Sequence, residues 1–334
     1  MTKHGKEKES GIVDLGYCRA RHLLIWKYPA FSHSMSAPRP PIRALLIDLS
    51  GTLHVGSQAT PGAVDALSRL RRTAPSSSPH ASPSTHVPFR FCSNTSKEGR
   101  NELEARLRGM GFELVTGNIG GATANGREMW TSLGAVGSLL QKRGLRKPFC
   151  LLEPSSKDEI LRDLGPTSGG AFAPLSQRRL AHVEPAADAE YDSVVVGLAP
   201  LLFDYEHLNA AFRVLLSTPP KPLIATHRAK YIRVADFEPS KSRSPHETLS
   251  LGPGPFVAAL ETAAGVQAEV VGKPSRTFFE TVIDSFGEDE LPEDGGIAIV
   301  GDDVETDLGG GAVELGLWRV LGGLDFYQAW YKCL

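Results

Sequence analysis

Ile42-Arg43-Ala44-Leu45-Leu46-Ile47-Asp48 runs straight into Leu49-Ser50-Gly51-Thr52-Leu53-His54: an apolar stretch, broken only by Arg43, that ends on an acid and a Ser-Gly-Thr turn. Its length and composition are those of a strand buried on both faces, the kind that forms the inside of a parallel sheet. Outward from it the pattern alternates. Pro61-Gly62 opens a helix with Val64, Leu67 and Leu70 on one face, and residues 89–92 form the next short strand. Residues 96–109 read as a helix that buries Leu103 and Leu107 and turns Glu98, Arg100, Glu102 and Arg106 outwards. Further strands are expected at 149–152, 193–196, 223–225, 270–271 and 297–300, with helices at 206–216, 255–264 and 275–286. Strands alternating with helices imply a parallel α/β sheet.

Composition narrows the function classes. The 334 residues suggest about two domains. A net charge of −2 lacks the cationic excess that nucleic-acid binding requires, so that class is excluded. No apolar stretch reaches the roughly 18 residues of a membrane span, since the longest, 194–203, is broken by Gly197 and Pro200. Cys18, Cys92, Cys150 and Cys333 form no C-x-x-C pair, which argues against a disulfide scaffold or structural zinc and for a cytoplasmic protein. Residues 1–40 read as a tail. Nine of the sixteen residues 73–88 are Ser or Pro, a solvated insertion, and 235–250 is a second polar one.

Four polar groups fall at predicted strand ends: Asp48, Ser93, Lys273 and Asp302. Ligands of open α/β sheets bind beyond the carboxyl ends of strands. Two acids, a hydroxyl and a lysine at one rim suit a phosphoryl group with a magnesium ion. A carboxylate there is also able to attack phosphorus. Each motif alone has a plainer reading. Asp48-Leu49-Ser50-Gly51-Thr52 reads equally as a strand-to-turn transition, Ser93-Asn94-Thr95-Ser96 as a helix cap, Lys273-Pro274 as a helix start, and Gly301-Asp302-Asp303 as an acidic turn. The four in order, each at a strand end, favour the functional reading.

In these motifs the chain resembles the haloacid dehalogenase superfamily of phosphohydrolases. The residues that carry the resemblance are 48–54, 94–98, 196–200, 251–256, 271–274 and 301–303, within about 42–317. The resemblance implies a Rossmann-like parallel-sheet core with a large inserted α/β cap: core from 41 to 120, cap from 121 to 250, core again from 251 to 334. It implies Asp48 as nucleophile and magnesium ligand, and Ser50 lending the metal its carbonyl. Ser93 and Asn94 would hold the phosphoryl group, with Lys273 screening charge. Asp302 would be the second metal carboxylate, and Asp307 would complete the site or stand behind it, a role that Asp303 would share in the alternative. The partner expected is a small phosphorylated substrate, and a homodimer through the cap is a family expectation.

Two departures stand out. Most phosphatases of the superfamily carry a second aspartate where this chain has Ser50, and a hydroxyl does not release a proton as a carboxylic acid does. General acid help is worth about 10²–10⁴-fold, so substrates with good leaving groups are expected: pyrophosphate, phosphoramidates and aryl phosphates. A catalytically weak binding or regulatory protein on the same fold is the alternative. The segment 318–334 also departs from the family and suggests an incomplete core strand and helix. His54, His227 and Arg228 are candidate substrate contacts, and the remaining histidines are scattered surface residues. Trp130 and Phe149 are expected in the cap core.

Overall fold

The structure is a computed structural model. It describes residues 24–26, 41–72, 87–115, 128–165, 191–233, 249–287, 291 and 295–322. Both polar insertions fall almost wholly outside these ranges, as do Cys18, Cys333, His80, His86 and His246.

The opening stretch is the central strand of the first sheet. In chain order the strands are β1 (Leu24–Trp26), β2 (Ile42–Asp48), β3 (His54–Val55), β4 (Gln58–Ala59), β5 (Phe89–Ser93), β6 (Met129–Thr131), β7 (Pro148–Leu151), β8 (Ser193–Val196), β9 (Leu223–Ala225), β10 (Tyr231–Arg233), β11 (Leu249–Leu251), β12 (Glu269–Val270), β13 (Gly296–Gly301) and β14 (Trp318–Leu321). The helices are α1 (Ala63–Arg72), α2 (Arg100–Gly109), α3 (Ser132–Arg143), α4 (Pro154–Leu164), α5 (Tyr205–Leu215), α6 (Gly254–Ala264), α7 (Arg276–Asp284) and α8 (Gly310–Glu314).

The first sheet has the order β1-β14-β13-β2-β5-β6, parallel except for the antiparallel edge strand β1. Ala44 and Leu46 face one core with Phe278, Phe279 and Val282 of α7 and Ala312 of α8. Ile47 faces the other with Leu67 of α1 and Leu103 and Leu107 of α2. Helices on both faces explain why β2 is apolar almost throughout rather than alternating. The chain leaves β2 towards β5, while β13 returns on its other side, so the carboxyl end of β2 is a topological switch point. Asp48 is its last residue.

A second parallel sheet has the order β12-β9-β8-β7. Leu133, Val136 and Leu140 of α3 and Ile160 of α4 pack on one face, and Ala211 and Val214 of α5 with Val257 and Leu260 of α6 on the other. Its strands run from residue 148 to 270, and Met129–Thr131 belongs to the first sheet. Among the described residues no helix is long and apolar enough to cross a membrane.

Some readings change. Leu24–Trp26, inside the expected tail, pairs with Leu321, Val320 and Arg319. Trp318–Leu321 forms a strand between β1 and β13, where an incomplete core strand was expected. It buries the adjacent Arg319 and Val320, with the Arg319 guanidinium donating to the Leu308 carbonyl. Trp130 packs against the first sheet's core, not the second's, whereas Phe149 does join the second. Helix α2 starts at Arg100, four residues later than its periodicity suggests, because residues 94–99 spend their polar groups on other elements. Glu98 and Arg106 are not an outward face either. Arg106 forks onto Glu98 and reaches the Gly56 carbonyl of the β3–β4 hairpin.

Candidate active site

Three strand ends of the first sheet bring Asp48, Ser93 and Asp302 together, since β13, β2 and β5 are neighbours. Lys273 arrives differently. It follows β12, in the second sheet, and reaches the rim of the first through the turn that leads into α7. Sequence alternation marks a strand before Lys273 but not which sheet that strand joins.

The ammonium of Lys273 is buried and has used all three of its donors. Nζ donates to Asp48 Oδ1 at 2.5 Å, Asp307 Oδ1 at 2.7 Å and the Cys92 carbonyl at 2.9 Å. Burial alone would lower its pKa, but the charges of Asp307 and Asp48 raise it above the ordinary lysine value. Its main chain is held as firmly. The Asn94 side-chain amide donates to the Lys273 carbonyl and accepts from its N–H, both at 2.9 Å. The Gly311 N–H donates to the Pro274 carbonyl at 2.8 Å. Asn94 thus clamps the lysine turn, and nothing in the sequence signals that.

Asp48, Asp302 and Asp307 each place a carboxylate oxygen so that all three lie within 4.8 Å of one another. Burial first, then the charge of Asp307, pushes Asp48 up to about 7. Asp302 rises to about 8, again through desolvation first and then the charges of Asp48 and Asp307. Among the described residues, Asp48 Oδ2 is buried without a hydrogen-bond partner. Three carboxylates against one ammonium leave two formal negative charges, so the donor set fits one hard divalent cation. Gly51, at φ 94°, makes the approach possible, because a β-carbon there would overlap the Asp302 carboxyl. Asp307 also accepts from the Asp303 N–H through Oδ2, at 3.1 Å. Asp303 in turn accepts from the N–H groups of Glu305 and Thr306, so it caps its own turn. Ser50 is exposed, and its loop is held by Gly51 N–H to the His54 carbonyl and His54 N–H to the Leu49 carbonyl. Ser93 is buried, and its Oγ accepts from the Thr95 N–H.

The three candidate substrate contacts are placed as follows. His54 is buried, its Nδ1 3.2 Å from the Gly56 carbonyl and 3.3 Å from Arg106 Nη1. Burial and that guanidinium lower it to about 4. His227 is buried with both ring nitrogens engaged, Nδ1 by the Ala229 N–H and Nε2 by Ser96 Oγ. Burial and the Lys273 charge lower it to about 4 as well. Arg228 forks onto Glu261, which also accepts from the Ala268 N–H. The neighbouring cation that faces the first sheet is Lys230, 3.4 Å from Glu305.

The model of one family, haloacid dehalogenase-like hydrolase, matches residues 45–166. Haloacid dehalogenase-like hydrolase domain-containing protein 2 of Pongo abelii is 36% identical over 288 residues, 86% of each chain. Human phospholysine phosphohistidine inorganic pyrophosphate phosphatase is 28% identical over 273 residues, 80% of this chain and 78% of that one. Among solved structures, 4-nitrophenylphosphatase from Thermotoga maritima superposes with a TM-score of 0.59 at 22% identity, covering 83% of this chain and 84% of the other.

Proposed function

Because this chain belongs to the haloacid dehalogenase-like hydrolases, we propose that it is a magnesium-dependent phosphohydrolase that works through an aspartyl-phosphate on Asp48. The observation that carries the reading is the buried Asp48–Lys273–Asp307 cluster with Asp302 beside it at the switch point of the first sheet. The second sheet is then the cap.

Asp48, the Ser50 carbonyl and Asp302 are the groups that would hold the ion. Its chemistry, when bound, is neutralisation of charge on the phosphoryl oxygens. Asp307, with both oxygens already engaged, fixes Lys273. An Asp48 oxygen attacks phosphorus while the bond to the leaving group breaks and the leaving group takes the electron pair. Water then attacks phosphorus, the Asp48–phosphorus bond breaks, inorganic phosphate departs and the carboxylate is restored. Lys273 offsets the negative charge of the incoming phosphoryl group by holding Asp48 and Asp307 as a charge-compensated set. Ser93 and Asn94 border the transferred group. Ser50 is no proton donor of carboxylic strength, so the leaving group departs unaided. That favours pyrophosphate, phosphoramidates and aryl phosphates, in keeping with the name of the second relative. Cys92 and Cys150 are buried and in no disulfide among the described residues, which fits a cytoplasmic location. Leu201, Tyr205, Tyr231 and Leu251, all from the chain segment 148–270 that carries the second sheet, are exposed, which fits pairing of two copies through the cap.

The test is a substrate panel with magnesium and with a chelator. Pyrophosphate, phosphohistidine and aryl phosphate should be hydrolysed faster than sugar phosphates, and all activity should vanish with the chelator. Sugar phosphates turned over fastest would defeat the leaving-group reading, and chelator-resistant turnover would defeat the metal.

The raised carboxyls give a pH expectation. Folded Asp48 and Asp302 hold their protons to about 7 and 8, above the unfolded value. The stability they confer without metal is therefore complete below about pH 4 and lost as pH rises through 7 and 8. Magnesium must displace those protons. Its affinity should be about tenfold or more tighter at pH 8 than at pH 6, with a thermal shift that grows to match. A thermal shift that is flat across that range would contradict the shared carboxylate site.

A further inference from the structure

Ser96 lies three residues beyond Ser93 in the loop that leaves β5, and it is 1% exposed. Two strand ends of the second sheet and a helix packed on it converge on this residue. The Leu198 N–H, just past β8, donates to Ser96 Oγ at 2.8 Å. His227, just past β9, brings Nε2 to 3.3 Å from the same oxygen. Ser156, in the first turn of α4, donates its hydroxyl to the Ser96 carbonyl at 2.8 Å. The contact is close-packed: a β-carbon on Gly197 would stand 2.9 Å from Ser96 Cβ and overlap Leu152.

The direction of the histidine bond follows from the ring's other nitrogen. The Ala229 N–H donates to His227 Nδ1 at 3.3 Å. A neutral imidazole has one donor and one acceptor, so Nε2 carries the hydrogen and donates to Ser96. One hydroxyl oxygen of the first sheet thus accepts from the ends of two adjacent strands of the second.

We propose that Ser96, gripped by the Nε2–H of His227, is the positioning residue that seats the second sheet over the loop 93–96 and so limits the size of the leaving group. The size limit rests on the phosphohydrolase reading; the seat itself does not. The same loop touches the reacting cluster at its other end. Asn94 holds the main chain of Lys273, and the Thr95 carbonyl accepts from Ser132 Oγ at 3.5 Å. Thr226 and His227 are both buried, and the Thr226 carbonyl accepts from the Gly272 N–H at 2.9 Å, one residue before Lys273. The α2–α4 contacts, Gly99 N–H to Ser155 Oγ and Arg100 N–H to Glu159, join the sheets independently, so loosening Ser96 does not separate them.

The experiment compares His227→Gln, which keeps a side-chain N–H, with His227→Leu, which does not, and adds Ser96→Ala. Amide exchange at Leu198 and the ratio of kcat/KM for naphthyl phosphate over pyrophosphate are read in each. Both substrates have good leaving groups, so the ratio reports size. In His227→Leu and Ser96→Ala, exchange at Leu198 should quicken roughly fivefold, the shift expected for one net hydrogen bond. The ratio should rise by a similar factor through KM, and His227→Gln should stay near the parent in both. Should Ser96→Ala not fold, the histidine pair decides. Equal behaviour of the Gln and Leu variants, or faster exchange with an unchanged ratio, overturns the proposal. A parent protein that hydrolyses neither substrate removes the phosphohydrolase reading and the size limit with it, and the exchange comparison still decides the seat.

Discussion

Asp48→Asn should abolish phosphate release, a loss on the order of 10⁴-fold or more, as removal of a nucleophile generally gives. Asparagine keeps the shape of the side chain and an oxygen within reach of Lys273, so the fold should survive. The electrostatics make this sharper. Asp48 is raised to about 7 because burial and Asp307 oppose its charge. At pH 8, without metal, a neutral amide relieves that opposition, while Lys273 keeps Asp307 and the Cys92 carbonyl as partners. The metal-free variant should therefore melt no lower than the parent at pH 8, and the stabilisation by magnesium should shrink. Retention of more than about 1% of the parent activity would rule out Asp48 as the nucleophile. Loss of activity together with a collapsed melting temperature would show that its role is structural.

Ser50→Asp should have the second-largest effect, and in the gaining direction. Position 50 is exposed, two residues past Asp48, in the loop tied to the β3–β4 hairpin through His54. A carboxylic acid there supplies the proton that alkoxide leaving groups need. Of the 10²–10⁴-fold that general acid catalysis provides, an unoptimised site should recover about ten- to a hundredfold on sugar and other alkyl phosphates. Pyrophosphate and aryl phosphates should change by less than about threefold, because their departure needs little protonation. Parallel kcat/KM measurements on both classes check this. A uniform fall on both would mean that the added charge disturbs the carboxylate cluster, and the leaving-group account of Ser50 would fail.

Much of the architecture is legible in local pattern. The apolar run of β2, the helical spacing of Val64, Leu67 and Leu70, and the short strands at 193–196 and 223–225 all state their element type within a few residues. Helices α3 and α4 left no clear mark. The first carries Gly134 and Gly137 in its interior, and the second buries Glu159 and Ser156 on its packed face, which blurs apolar periodicity. Of the candidate site, the strand-end placement of Asp48, Ser93, Lys273 and Asp302 is legible because each ends a strand or follows one closely. Asp303 and Asp307 could not be told apart. Only the fold shows that Asp307 meets Lys273 while Asp303 caps the Glu305 turn.

The amino-acid order of this chain carried the parallel α/β class and the polar side chains that gather at the strand ends, because periodic burial and strand-end polarity are properties of neighbours along the backbone. Three-dimensional packing alone settled that Lys273 crosses from the second sheet to the rim of the first, that Asn94 clamps it, and that Ser96 receives two strands of that sheet. Those contacts join residues separated by 102 to 225 positions, and no local periodicity encodes which of many such pairs will meet once two hydrophobic cores have closed.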